Sequence, residues 1–260
     1  MFYSKKSLGQ NFLVDKNIIK KITNLIDIKN KNVLEIGPGK GSLTNEILNK
    51  KPKSLILVEK DNRLIKNLQE KYDNKKNIKI YNDDILKFNI EKKIKSNTII
   101  FGNLPYNISS QILVKLIKFE KWPPLYTDLI LMFQKELAQK ITGKFMSKNY
   151  GRISVLTSYR LKLTNKFFVS SNCFVPVPKI MSNVLHLKPI INNKENIKNI
   201  DNLEKVTNIL FSNQRKMINK NLKKLFNENK IKSLNLNLKK RPSDLKPQTY
   251  FKITELLESS

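Results

Sequence analysis

Val33-Leu34-Glu35-Ile36-Gly37-Pro38-Gly39-Lys40-Gly41 reads as a short apolar strand that runs into a glycine turn and then opens a helix. Working outward, the candidate strands are Asn32–Ile36, Ser54–Val58, Asn77–Tyr81, Thr98–Phe101 and Asp128–Phe133. Between them, Leu43/Ile47/Leu48, Leu64/Ile65/Leu68 and Ile112/Leu113/Leu116/Ile117 recur at helical spacing. Such alternation predicts βαβ units, hence an α/β fold with a doubly wound, largely parallel sheet. Later runs at Lys162–Val169 and Val184–Leu187, separated by Pro176-Val177-Pro178, are expected to close the sheet as an antiparallel pair. Upstream, residues 15–27 predict an amphipathic helix: Asp15 is a suitable N-cap, and Ile18, Ile19, Ile22, Leu25 and Ile26 share one face.

The texture changes after Pro189. Asn192-Asn193-Lys194-Glu195-Asn196 is a polar linker, followed by helical spacing at Leu203/Val206/Ile209/Leu210 and Met217/Ile218/Leu222/Leu225/Phe226. Pro242 and Pro247 bracket a turn before a last helix through Leu256 and Leu257. The expected organisation is an α/β domain at 1–189 and a small all-helical domain at 190–260.

Composition bounds the function. The 260 residues carry 50 Lys+Arg against 21 Asp+Glu, a formal net charge of +29, with 40% hydrophobic residues, enough for a core. The charge suits a nucleic-acid partner, whose phosphates Lys and Arg neutralise. It also reflects composition at large, since 45 Lys, 33 Asn and 31 Ile stand beside only five Arg, the mark of AT-rich coding. No apolar run is long enough for a membrane span. Met1-Phe2-Tyr3-Ser4-Lys5-Lys6 has no apolar run of the export type, so a cytoplasmic location is expected. Single Cys173 and single His186 leave no internal disulfide, no His-ligated metal site and no His-based triad to expect, and no metal is assigned.

The chemistry lies at the strand ends. Glycines 37, 39 and 41 are spaced G-x-G-x-G, whereas a dinucleotide turn prefers G-x-G-x-x-G and a Walker A loop needs Lys-Ser/Thr. Glu59, in Val58-Glu59-Lys60-Asp61, suits two ribose hydroxyls, and Asp84, in Tyr81-Asn82-Asp83-Asp84-Ile85, suits an adenine amine. These residues favour an adenosine-type cofactor, with a nicotinamide dinucleotide and S-adenosylmethionine both open. Gly102-Asn103-Leu104-Pro105-Tyr106 follows the fourth strand. The lone pair of an adenine amine is delocalised into its ring. An Asn side-chain oxygen and the next backbone carbonyl can accept its two N–H bonds, aim the nitrogen at an electrophile and stabilise the charge that develops. Pro105 directs the Leu104 carbonyl, and Tyr106 offers a face for a flipped-out base. No general base is needed, because the product ammonium loses its proton readily.

Over nearly its whole length the chain resembles the KsgA-type small-subunit rRNA adenine N6,N6-dimethyltransferases. Lys6-Ser7-Leu8-Gly9-Gln10-Asn11-Phe12-Leu13 is similar to the family's N-terminal motif, and Glu35–Gly41 to its cofactor loop. Asn103-Leu104-Pro105-Tyr106-Asn107-Ile108-Ser109 is close to its catalytic segment, and Gln134-Lys135-Glu136, Ser147–Arg152 and Phe174-Val175-Pro176-Val177-Pro178-Lys179 to later motifs. The resemblance implies a Rossmann-like methyltransferase domain and cofactor contacts from Asn11, Leu13, Gly37, Gly39, Glu59, Asp84 and Asn103. It implies catalysis by Asn103, Leu104, Pro105 and Tyr106, with Phe174 as the second wall of a base clamp. It further implies RNA contacts from Lys5, Lys6, Lys148, Arg152, Arg215 and Lys216, the last two in a C-terminal domain that engages the ribosomal particle. The expected partner is 16S rRNA in the immature small subunit, where two adjacent adenines near the 3′ end are dimethylated from S-adenosylmethionine late in biogenesis by a monomeric enzyme. Met181 departs from the family, which usually has Asp there. The macrolide-resistance class of large-subunit rRNA dimethylases has similar motifs. The helical C-terminus and the opening Lys-Ser-Leu-Gly-Gln-Asn-Phe point away from it. The Asn103–Tyr106 segment points away from a non-catalytic assembly factor, and the glycine spacing from a nicotinamide oxidoreductase.

Overall fold

A computed structural model describes residues 10–192 and 195–259. The chain divides into two compact units, Met1–Ala138 with Leu163–Pro189, and Gln139–Lys162 with Ile190–Ser260.

In the first unit, β1 (Phe12–Leu13) and α1 (Lys16–Thr23) precede β2 (Asn32–Ile36), α2 (Ser42–Asn49), β3 (Ser54–Glu59), α3 (Asn62–Tyr72) and β4 (Ile78–Asn82). Next come α4 (Ile90–Lys93), β5 (Thr98–Asn103), α5 (Ser109–Ile117), β6 (Tyr126–Gln134) and α6 (Lys135–Ile141), within which the chain passes to the second unit. There α7 (Arg152–Arg160) forms, and β7 (Leu161–Val169), β8 (Phe174–Val175) and β9 (Ser182–Pro189) return the chain to the first unit. The main sheet has seven strands in the order β4-β3-β2-β5-β6-β9-β7, and β1 pairs separately with β8. Strands β2, β3, β4, β5 and β6 are parallel neighbours, whereas β9 runs antiparallel to β6 with Leu131 opposite Leu185. The α/β expectation therefore stands, and the expected closing runs are β7 and β9, side by side at one end of the sheet.

Local chemistry explains the boundaries. The Asp15 carboxylate accepts from the Ile18 N–H at 2.8 Å and caps α1, and Asp61 accepts from Arg63 N–H at 3.1 Å and caps α3. Gly41 caps α2 with φ of +80°, where an added Cβ would lie 2.7 Å from the Tyr72 hydroxyl. Strands β2 and β5 are buried at nearly every position because helices cover both faces of a parallel sheet. His186 is a buried hydrogen-bond partner: its Nε2 lies 2.7 Å from Asp128 Oδ1, near the start of β6, with Lys188 Nζ at 3.4 Å. Burial pushes the Asp128 carboxyl up, but hydrogen bonding to His186 and Thr127 and the Lys188 charge bring it below the ordinary carboxylate value.

The second unit adds α8 (Ile200–Phe211), α9 (Asn219–Leu222), α10 (Glu228–Ser233) and α11 (Pro247–Glu258) to α7. Leu203, Val206, Leu210, Ile218, Leu222 and Ile253 are buried, and Phe211 stacks on Tyr250 with centroids 5.4 Å apart. Buried hydroxyls join its segments: Tyr150 donates to the Leu245 carbonyl at 2.9 Å and Tyr250 to that of Pro242 at 2.6 Å. The expected single cut at 189/190 is thus incomplete, because residues 139–162 pack with the C-terminal helices. α7 touches both α8 and α11, and Tyr159 packs on Phe251 with centroids 4.9 Å apart. Gln214-Arg215-Lys216 occupies a turn between α8 and α9, outside the helix that carries Lys220.

Replacing Tyr250 with Phe strands the Pro242 carbonyl inside this unit. It should cost about 1 kcal/mol, read as a lower urea midpoint with an unchanged slope.

Candidate active site

The parallel register brings four strand ends to one edge: Ile36 faces Val58 and Gly102, Glu59 faces Asn82, and Asn103 faces Met132. A cavity of about 200 Å³ opens there, the usual ligand position in such sheets. Its walls include Asn11, Leu13, Gly37, Gly39, Glu59, Asp84 and the whole Asn103–Tyr106 segment. Ten expected site residues, from three separate sequence regions and two strand ends, therefore share one cavity.

The glycine turn is a cradle. Gly37 and Gly39 have φ of +66° and +59°, which L side chains rarely adopt. The nearest atom to a Cβ built on Gly37 is the Asn103 carbonyl oxygen at 3.8 Å, so that side of the turn is open. Behind it, Glu59 receives three backbone N–H bonds, from Gly39 at 3.2 Å and from Lys60 and Asp61 at 2.9 Å each. The carboxylate is thereby tied to the turn. Burial still raises its pKa against those N–H groups, with the Asp61 charge adding to the rise. Glu35 is buried beneath the turn and accepts from Thr44 Oγ1 at 2.7 Å. Burial lifts it to about 8, the Thr44 bond opposing and the Glu59 charge assisting.

Asp84 is held differently. Its Oδ1 accepts from Leu86 N–H at 2.9 Å, and its Oδ2 pairs with Lys60 Nζ at 2.8 Å. The Lys60 bond is the largest cause of its lowered pKa. Asn103 donates Nδ2 to the Asn11 carbonyl at 2.9 Å, which commits the amide and leaves Oδ1 as its accepting end. Tyr106 Oη lies 2.6 Å from Ser182 Oγ, which fixes the ring at the mouth, and burial raises the phenol's pKa. Gly102 lets this segment close on itself, since a Cβ there would meet Leu104 Cδ2 at 2.6 Å.

Two expectations change. Phe174 is fully buried in the core with Leu13, Ile19, Met132 and Val184, and it does not line the cavity. The cause is β8: Leu13 faces Phe174, strand alternation turns Phe174 inward, and Val175 is left exposed. Arg152 is committed to an ion pair with Glu204, Nη2 to Oε1 at 2.6 Å. Lys148, Arg215 and Lys216 are exposed in the second unit, and Lys5 and Lys6 lie outside the described residues. Sequence reasoning missed Lys60, Ser182 and the Asn11 carbonyl as site groups. Only Lys60 had a signal, its place between Glu59 and Asp61. Among the described residues no cluster of three His, Cys, Asp or Glu side chains is arranged to hold a metal ion.

Comparison with known proteins agrees with this geometry. The pattern of the family described as "Ribosomal RNA adenine dimethylase" matches residues 1–259. The chain is 45% identical over 260 residues to "Ribosomal RNA small subunit methyltransferase A" of Pelagibacter ubique, covering 98% of this chain and 97% of that one. It is 41% identical to the protein of the same name from Mycoplasma mobile, covering 95% of each. Among solved structures, a dimethyladenosine transferase from Plasmodium falciparum superposes with a TM-score of 0.77 at 27% identity, over 93% of this chain and 95% of that one. The 23S rRNA methyltransferase ErmE shares the fold, with a TM-score of 0.69 at 24% identity, over 95% of this chain and 100% of that one. With its full-length match to the family pattern and its cavity built from the same motifs, the chain belongs to the ribosomal RNA adenine dimethylase family.

Proposed function

We propose that this protein dimethylates N6 of two adjacent adenines in a loop near the 3′ end of small-subunit rRNA, using S-adenosylmethionine. The observation that carries the reading is the Asn103 amide, pinned by its Nδ2 to the Asn11 carbonyl beside the cavity that Glu59, Asp84 and the Gly37 turn also line. These residues fit the cofactor: Gly37 offers the close approach, Glu59 the ribose acceptor and Asp84 the acceptor for the adenine amine. When bound, the cofactor supplies an electrophilic methyl on a sulfonium.

The chain's own task is positioning. Asn103 Oδ1 and the Leu104 carbonyl accept the two N–H bonds of the target amine and so aim its lone pair. Pro105 fixes the carbonyl's direction, and the Tyr106 ring, braced by Ser182, carries the face of the base. With Phe174 in the core, the opposite face of the base is held by another group. The substrate is the immature small subunit, the enzyme acts as a monomer in the cytoplasm, and Lys148, Arg215 and Lys216 are offered to rRNA phosphates. The second unit is the ribosome-engaging part. No described helix is long and apolar enough to cross a membrane.

Primer extension across small-subunit rRNA tests the reaction, because dimethylated adenines stop the copying enzyme. Adding the protein to immature subunits should create two adjacent stops, and unchanged stops would refute the reading. Asn103→Ala should lower kcat by about a hundred-fold, since misplacement of about 1 Å carries such a loss. Near-normal turnover with unchanged cofactor affinity would refute the mechanism.

Glu35 makes a further prediction. Its folded pKa, about 8, lies above the ordinary 4.5, so its stabilising contribution is complete below 4.5 and is lost as pH rises towards 8. At pH 7 the group carries a proton, and a cationic ligand in the same cavity favours the carboxylate. Cofactor binding at pH 7 should therefore release a proton, seen calorimetrically in buffers of different ionisation enthalpy. Glu35→Gln should abolish the release.

A further inference from the structure

An exposed apolar patch lies next to the catalytic segment and has no part in the chemistry described above. Phe168 on β7 is 62% exposed and Val177 60%, and Val175, Ile180 and Met181 are exposed with them. The patch is joined to the site by three contacts. Lys135 N–H donates to the Met181 carbonyl at 2.9 Å, and Lys135 Nζ sits over the Phe168 ring, 5.9 Å from its centroid. Ser182, the residue after Met181, bonds Tyr106 Oη. A continuous path thus runs from the Tyr106 ring through Ser182 and Met181 to Lys135 and Phe168.

Charge indicates what covers this surface. Residues 163–189 of the first unit contain no Asp or Glu and three Lys, while the neighbouring cavity contains Glu35, Glu59 and Asp84. On the patch itself, Lys166 and Lys179 are exposed beside Phe168 and Val177. A bare aromatic ring with a cation over it and lysines around it matches a nucleobase with its phosphates: the ring stacks on the base and the ammonium groups meet the backbone. Lysines in these positions do not match a basic partner surface.

We propose that Phe168, Lys135 and the Val175–Met181 loop form a second RNA subsite, which holds an unpaired nucleotide flanking the target adenine while that adenine occupies the Asn103–Tyr106 segment. The proposal rests on the methyl-transfer reading and adds to it the surface that keeps the target strand splayed. Each base placed on this subsite is one that cannot stack back on the target, so the subsite favours the extruded adenine.

The test uses the full-length protein and immature small subunits. Wild-type methyl transfer is measured first, and its absence would overturn the methyl-transfer reading itself. With that activity in hand, Phe168→Ala should raise KM for the subunits roughly ten-fold, the scale of one lost base–aromatic stack, at unchanged cofactor affinity. Phe168→Tyr should restore the wild-type KM, and Lys135→Gln should reduce the salt slope of subunit binding by about one. A wild-type KM in Phe168→Ala would overturn the proposal. Photo-cross-linking from p-benzoylphenylalanine placed at position 168 separates the partners: an rRNA adduct is expected, and a ribosomal-protein adduct in its place would also overturn it.

Discussion

Parallel pairing of β2 with β5 sets Ile36 opposite Gly102, and from that register the site follows. The two strands end side by side, so the turn at Gly37 and the segment at Asn103 leave the sheet as neighbours. A slip of one residue would turn Glu35 and Phe101 to the opposite faces and separate the glycine turn from the Asn103 amide. Three details serve the same closeness: left-handed backbone at Gly37, the missing Cβ at Gly102, and the Asn11 carbonyl that holds Asn103. Catalysis by positioning is demanding because the reacting atoms must be held at near-contact distance in line. A sheet edge buried on both faces supplies that rigidity better than a loop.

Electrostatics divide the first unit. A protein of net charge +29 places two buried carboxylic groups, Glu35 and Glu59, and a paired Asp84 around one small cavity. Burying Glu35 and Glu59 is costly, and the cost is offset by Thr44 and by three backbone N–H groups. The result is a cavity suited to a positively charged, hydroxyl-bearing ligand inside a surface suited to a polyanion. The Lys135–Phe168 surface lies outside this cavity.

Strand–helix order, the glycine turn and the Asn103–Tyr106 segment were readable because each is local: periodicity of two or 3.6, φ above zero, a proline after an amide. The misreadings were of groups whose neighbours are remote in sequence. Strand β8 has two residues, too few for alternation to show that Phe174 points inward, and its partner Leu13 is 161 positions away. Helix α7 buries Ser154 through Thr157 consecutively, so no amphipathic stripe announced it or its membership of the second unit. Arg152, expected to contact RNA, pairs with Glu204, and Lys60, to which the sequence assigned no role, pairs with Asp84.

By itself the sequence determined the fold class, the glycine turn and the Asn103–Tyr106 segment, because these depend on contacts within a few positions of the chain. Tertiary structure decided which of them meet: Asn11 with Asn103, Tyr106 with Ser182, Lys60 with Asp84, and Phe174 with the core. The division has a physical reason. Backbone preference and apolar period are written into neighbouring residues, whereas a side chain's exposure and hydrogen-bond partner are set by segments brought together only when the sheet assembles.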